Sequence, residues 1–447
     1  MSRRKIMELF ENYSEYTDEK VKLGIETNRK GDVFIKVVDK EGNAVKNAAV
    51  EVKQKNHEFR YGANLFMLDE LETEEKNNLY KKYFKNAFNM ATLPFYWDST
   101  EPEKGKLRYD KNSPNVYRRP PIDLCIEFCE ENGIEPREHA LAYDHFFPKW
   151  LKGADSFTAR NEFERRCREI SERYADKIRT IEVTNEMFWD PKVSVTEFYN
   201  DPDFIEHCFK TARKYFPNNQ LVINDWSGMA WDNGWPKNVY FNQIDQSIKK
   251  GAEIDAIGLQ YHMFYKLDDE YKETRNFYNP LFLNKAMDKL ASFGKPLQIT
   301  EVTVPSYSWE PEDEEIQAEI IEKLYSIWFS HPAVEQIIYW NLVDGYAHVD
   351  DPEKVATSQG NMTLGENYYH GGLLRFDMTP KPAYNKICEL FGKRWRTNTE
   401  IKSNEYGNAY FRGFYGEYDV TVTVDGKTVA KTINVRKNKD NEFEVVV

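Results

Sequence analysis

Two kinds of hydrophobic patterning divide the chain. Between residues 59 and 395, short runs rich in β-branched and aromatic residues recur: "RYGANLF", "NAFNMAT", "EPREHAL", "IRTIEVT", "QLVIND", "DAIGLQ", "PLQIT" and "QIIYWN". The segments between them carry apolar residues at helical spacing, as in "PIDLCIEFCEEN", "ARNEFERRCREISERYA", "DFIEHCFKTARKYF" and "EEIQAEIIEKLYSIWF". Strands that each lead into a helix predict an α/β fold, a closed parallel (β/α)8 TIM barrel. An open doubly wound sheet would carry a glycine-rich turn after its first strand, and "YGANLFMLDEL" has none.

The two ends alternate with period two instead. "GDVFIKVVDKEGNAVKNAAVEVKQ" is broken by turn residues at Gly42-Asn43 and Lys46-Asn47. "NAYFRGFYGEYDVTVTVDGKTVAKTINVRKNKDNEFEVVV" contains the hairpin signal Asp425-Gly426. Neither end has enough strands to be stable alone. The expectation is therefore a β-rich segment at 1–58, the barrel at 59–395 and a second β-rich segment at 396–447, with both ends completing one small β-sandwich.

Composition narrows the function classes. The 447 residues are 40% hydrophobic and 15% aromatic, ample for a large core. The net charge is −13 with no dense block of Lys or Arg, which argues against a nucleic-acid partner. No apolar run reaches the roughly 20 residues that span a bilayer, so no membrane partner is expected. The opening "MSRRKIMELFENYSEY" lacks the apolar core of a signal peptide, so the chain reads as cytoplasmic, or as secreted with its leader missing. The oligomeric state has no signature. Five cysteines (125, 129, 167, 208 and 388) are odd in number, and Cys125 and Cys129 share one helix face, which predicts buried thiols rather than disulfides.

Chemistry in a parallel barrel sits at the C-terminal strand ends. That rule selects Glu186, ending the fourth strand in "IEVTNE", and Glu301, ending the seventh in "LQITE". These strands lie across the barrel mouth, so both carboxylates can face one bond. A separation of about 5–5.5 Å suits a retaining glycosidase, and about 6.5–9.5 Å an inverting one. Asn185 is a candidate donor to a sugar hydroxyl. His139, Gln260, His262 and Trp340 end the third, sixth and eighth strands, and a Trp at the mouth offers a floor for a sugar ring. In the fifth-strand loop, Trp226, Trp231 and Trp235 are candidates for stacking on the leaving-group side. No Cys/His set has metal-ligand spacing, and neither a metal nor another cofactor is expected.

"VTNE", "IGLQYH", "ITE" and "GGLLRFDMTPKPAYNKI", in that order, resemble glycoside hydrolase family 10, the retaining β-xylanases, and "YWDSTEPEKGKLRYD" resembles the segment after that family's second strand. The resemblance covers the whole barrel. It implies an O-glycosyl hydrolase, endo-1,4-β-xylanase-like, acting on β-linked plant cell-wall polysaccharide or its oligosaccharides, xylan foremost. Glu186 becomes acid/base and Glu301 nucleophile, with Asn185, His139, Gln260, His262 and Trp340 around the cleaved sugar. Asp344 and Tyr346 match the eighth-strand loop, and Trp97 follows the second strand.

The departures fall on the glycone side. Where the family reads Glu-Asn-x-x-Lys-Trp, this chain reads Thr92-Leu93-Pro94-Phe95-Tyr96-Trp97. His348 replaces a second Trp, and Tyr143 and Asp144 stand in for Trp and His. A lost hydrogen-bonding set discriminates strongly between sugars. An exo-acting β-glycosidase for a different or decorated sugar is the alternative, and a carbohydrate-binding barrel without catalysis a third reading.

Overall fold

A computed structural model describes residues 3–232, 237–349, 354 and 359–447. Its strands are β1 (Lys30–Val38), β2 (Ala49–His57), β3 (Arg60–Asn64), β4 (Met90–Pro94), β5 (Glu135–His139), β6 (Thr180–Asn185), β7 (Gln220–Asn224), β8 (Ala256–His262), β9 (Leu297–Thr303), β10 (Val334–Tyr339), β11 (Asn398–Lys402), β12 (Asn408–Phe414), β13 (Gly416–Val424), β14 (Lys427–Val435) and β15 (Glu442–Val446). The chain divides into two compact units. One comprises Met1–Tyr13, Tyr61–Ile321 and Ala333–Tyr384, and the other Ser14–Arg60, Glu322–Pro332 and Asn385–Val447.

In the first unit, β3 to β10 close into a barrel in chain order. Each predicted β-run contributes one strand, and the helical runs form helices such as Ile122–Asn132, Ser156–Tyr174 and Phe204–Tyr215. Side-chain caps fix several helix starts: Thr73 accepts from the Lys76 N–H, and Asp155 accepts from the Thr158 N–H. Gly133 ends one helix at φ +63, a left-handed position that costs Gly little.

The strands alternate between two buried faces. In β6, Ile181 and Val183 alternate with Thr180, Glu182 and Thr184, and all are buried. The polar set faces inward, because hydrogen bonds cross the barrel between strands that are not neighbours. Gln220 on β7 donates to Glu335 on β10 at 2.8 Å, and Gln298 on β9 donates to Gln220 at 3.1 Å. An interior that offers polar partners of its own explains why a buried strand can end in Asn-Glu.

The second unit contains two sheets, ordered β12-β1-β15 and β11-β2-β13-β14. Both mix strands from the two ends of the chain, and the terminal segments thus meet. Val33, Ile35 and Val37 from one sheet share a core with Val50, Val52, Val420 and Val422 from the other. Asp425 and Gly426 turn the β13–β14 hairpin with φ +48 and +79, the geometry of a two-residue type I′ turn. One expectation needs correction. The segment 1–58 is not β-rich throughout, because Arg3–Met7, Glu8–Glu11 and Ser14–Asn28 are helical. Cys125, Cys129, Cys167 and Cys208 are buried free thiols, and Cys388 is a half-buried one.

Candidate active site

The register of the barrel brings the key side chains together. Asn185 on β6 pairs with Asn224 on β7, and Gln260 on β8 pairs with Glu301 on β9. Glu186, one residue past β6, has φ +51, a conformation uncommon outside Gly and costing of order 1 kcal/mol or more. Its N–H donates to the Asn224 carbonyl at 3.2 Å, which holds this bend in place.

Both carboxylates line one cavity of about 600 Å³, together with His139, Asn185, Gln260, His262 and Trp340. A chain of amides joins them. Gln260 Nε2 is 2.9 Å from Glu186 Oε1 and 3.2 Å from Asn185 Oδ1. Asn224 Nδ2 is 3.0 Å from that same Asn185 oxygen and 3.0 Å from Glu301 Oε1. Glu186 Oε2 accepts from the Tyr143 hydroxyl at 2.6 Å and from the Trp189 indole at 3.2 Å.

Glu301 sits between opposing influences. Burial pushes its carboxyl up to about 8; the neighbouring His139 opposes this, and the charges of Glu182 and Glu186 reinforce it. Donors on both oxygens favour the ionised form: Asn224 on Oε1, and His262 Nε2 at 3.1 Å from Oε2. Burial lowers the His262 pKa to about 4, so the ring is neutral near pH 7. Thr303 Oγ1, 2.9 Å from His262 Nδ1, can donate there and leave the proton on Nε2, facing Glu301.

Beneath them, burial would raise the Glu182 carboxyl, but Arg137 and His139 outweigh it and hold the pKa below its ordinary value. His139, Glu182 and Glu301 offer ligand atoms within 4.8 Å of one another. Those atoms already have partners: His139 Nδ1 lies 2.8 Å from Glu182, His139 Nε2 lies 3.0 Å from the Tyr96 hydroxyl, and Arg137 pairs with Glu182. The cluster is a hydrogen-bonded support, not an open metal cage.

A sequence model described as glycosyl hydrolase family 10 matches residues 67–390. The chain belongs to glycosyl hydrolase family 10. It is 26% identical over 414 residues to the anti-sigma-I factor RsgI6 of Acetivibrio thermocellus, covering 89% of this chain and 46% of that protein. To endo-1,4-β-xylanase 1 of Arabidopsis thaliana it is 26% identical over 427 residues, covering 94% of this chain and 39% of the relative. The chain thus spans less than half the length of these two curated relatives. The crystal structure of xylanase 10B from Thermotoga petrophila RKU-1 in complex with xylobiose has the same fold, with a TM-score of 0.59 at 24% identity, covering 75% of this chain and 95% of that one. Among the described residues, no helix is long and apolar enough to cross a membrane.

Within this family 10 barrel, Tyr143, Trp226 and His348 line the cavity as well, and Trp226 is 46% exposed. Two expected substrate contacts do not line it. Trp97 is buried with its indole N–H satisfied by Glu101 at 2.9 Å, and its ring packs against Phe147 and Trp150. Tyr346 is buried too, its hydroxyl held by Glu72 and by Lys76 and its ring stacked on Phe376. Trp231 is fully buried and donates to the Gln260 carbonyl at 2.8 Å, a structural role. Trp235 lies outside the described residues, as does part of the eighth-strand loop. Asp344 is tied to Lys381 at 2.6 Å.

Sequence reasoning missed several side chains at this candidate site. Asn224 ends a strand, and the strand-end rule could have selected it. Trp189, Arg118, Arg119, Phe146 and Glu366 line the cavity from loops, where no periodicity points to them.

Proposed function

We propose that the chain hydrolyses a β-linked polysaccharide of the plant cell wall or its oligosaccharides, xylan foremost, by retaining double displacement. The observation that carries this reading is Glu186 and Glu301 on one cavity wall set, joined through Gln260, Asn185 and Asn224. Ionised Glu301 attacks the anomeric carbon while protonated Glu186 donates to the leaving oxygen. Water then cleaves the glycosyl-enzyme, with Glu186 acting as base. His262 and Asn224 hold Glu301 for attack, and Asn185 faces the sugar 2-hydroxyl. Names of relatives that include endo-1,4-β-xylanases support the substrate class.

A second reading, exo action on a different or decorated sugar, is favoured by the glycone side. Thr92 and Leu93 are fully buried and do not line the cavity, and Tyr96 spends its hydroxyl on His139. Product analysis separates the two readings. Endo cleavage of linear xylan yields a ladder of oligosaccharides, and exo cleavage releases single units. Proton NMR of the first product tests retention: an initial β-anomer supports double displacement, and an initial α-anomer excludes it.

A further inference from the structure

The cavity contains two guanidinium groups with no established role. Arg118 and Arg119 both line it and are 3% and 8% exposed. Burying a permanent cation is costly unless something pairs with it. Among the described residues, neither forms an ion pair with a carboxylate. Arg118 Nη1 donates to Asn341 Oδ1 at 2.9 Å and to the Tyr346 carbonyl, and its buried Nε has no acceptor among the described residues. Arg119 Nη1 donates to the Arg118 carbonyl at 3.0 Å, which leaves Nε and Nη2 without a partner among the described residues.

Among the described residues, the nearest acids make no ion pair with either guanidinium. Glu366 on the cavity wall is held by Asn341, at 2.9 Å, whose other end takes Arg118. Burial pushes Glu70, beside both arginines, up to about 8, which leaves it protonated near pH 7. Burial shifts the Asp98 carboxyl upward, and the charge of Arg119 opposes that shift.

The backbone holds this arrangement against local preference. Arg119 N–H closes a turn onto the Val116 carbonyl at 2.8 Å, with Arg118 at its third position and φ +60. Gly or Asn normally takes such a position, and an Arg there is strained. Pro120 then restricts Arg119 to extended conformations. The Arg119 guanidinium lies 3.7 Å from the centre of the Tyr96 ring, flat support that leaves its edge for a ligand. Tyr96 in turn bonds His139, so this fork stands on the wall shared with the candidate catalytic residues.

Resting on the hydrolase reading above, we infer that the sugar bound at the Arg119 end of the cavity carries an oxyanion substituent, a uronic carboxylate or a sulfate ester, paired by Arg119 with Arg118 behind it. A planar fork with free donors matches such a group bidentately. A neutral sugar would leave those donors without a partner once water is displaced, which opposes its binding.

The test uses the full chain and matched β-oligosaccharides that are neutral, end in a hexuronic acid, or bear a sulfate ester. At least one anionic member should have kcat/KM about 10-fold or more above the neutral one, and which member wins identifies the group. Arg119→Gln should reduce that preference about 10- to 100-fold, and Arg119→Lys should reduce it less. Arg118→Gly should also weaken the preference, although it gives up the bonds to Asn341 and the Tyr346 carbonyl as it relieves the φ +60 strain. A neutral substrate that performs as well as both anionic ones overturns the inference. If no glycoside is cleaved, the hydrolase reading fails on its own. Calorimetric binding of the same oligosaccharides then decides the inference, with tighter anionic binding expected and equal or tighter neutral binding overturning it.

Discussion

Asn224 donates to Glu301 from 3.0 Å, and its own carbonyl oxygen is fixed by the Thr300 hydroxyl at 2.8 Å. The amide therefore cannot turn over without losing both bonds. Asn224→Asp places an acceptor against Glu182, Asn185 and Glu301, and should lower kcat/KM at least about 100-fold. Gly258→Ala tests the same contact without adding charge, because a Cβ there would meet Asn224 Oδ1 at 2.4 Å. Near-normal steady-state kinetics in both variants would remove Asn224 from the site.

Glu186 and Glu301 should differ in their dependence on the leaving group. Glu301→Ala should lose hydrolysis of every substrate. Glu186→Ala should keep much of its activity on aryl glycosides with good leaving groups, which need no proton. Equal losses on an activated aryl glycoside would contradict the assigned roles.

The competent form carries one proton between these two acids, so activity should fall as that proton leaves. With Glu301 pushed up to about 8 by burial, kcat/KM should decline above roughly pH 8. In Glu186→Ala, assayed on an activated aryl glycoside, only ionised Glu301 is required. Its profile should instead rise with pH and lose the alkaline limb. An unchanged alkaline limb in this variant would rule out the shared-proton account.

Trp226 offers a half-open ring at the cavity and makes no demand on the chemistry. Trp226→Ala should raise KM about 2- to 10-fold on oligosaccharides, with a smaller change in kcat. A fall in kcat alone would place Trp226 elsewhere in the mechanism.

In the second unit, burial lowers the His57 pKa to about 3 from an ordinary 6.5. The Phe59 N–H donates to Nδ1 at 3.2 Å, and Nε2 lies 3.1 Å from the Trp395 carbonyl, so the ring is neutral. Between these two values the unfolded chain binds a proton that the folded one refuses. The stability contribution is fully present above about pH 6.5 and is lost as pH falls toward 3, at up to about 1.4 kcal/mol per unit. Denaturant titrations at pH 7 and 5 should show this. His57→Phe should start less stable yet show a shallower dependence, and an undiminished slope would exonerate His57.

The barrel was legible because each strand is a short β-rich run set off by a helical period, and the same alternation located Glu186 and Glu301 at strand ends. The floor of the site was less legible. Glu182 and Arg137 look like surface residues on composition alone, and only the parallel pairing of β5 with β6 in the barrel wall brings them together. Trp97 and Tyr346 misled because motif position fixes a backbone address and not the direction of a ring. Arg118 and Arg119 were invisible because a loop without regular structure carries them to the cavity. The helical start of the chain was missed because Ser14–Asn28 has a weak apolar stripe and reads as polar sequence.

β1 takes both of its neighbours, β12 and β15, from beyond residue 407, and β2 takes β11 and β13 from beyond residue 397. A ribosome therefore extrudes these two early strands several hundred residues before anything exists for them to pair with. They must stay unpaired while the intervening polypeptide is made, and Lys and Asp interleaved along β1, with Lys and Glu along β2, guard against premature association. Cutting the gene before β11 would leave those edges permanently bare, so such a fragment should aggregate rather than behave as a trimmed enzyme.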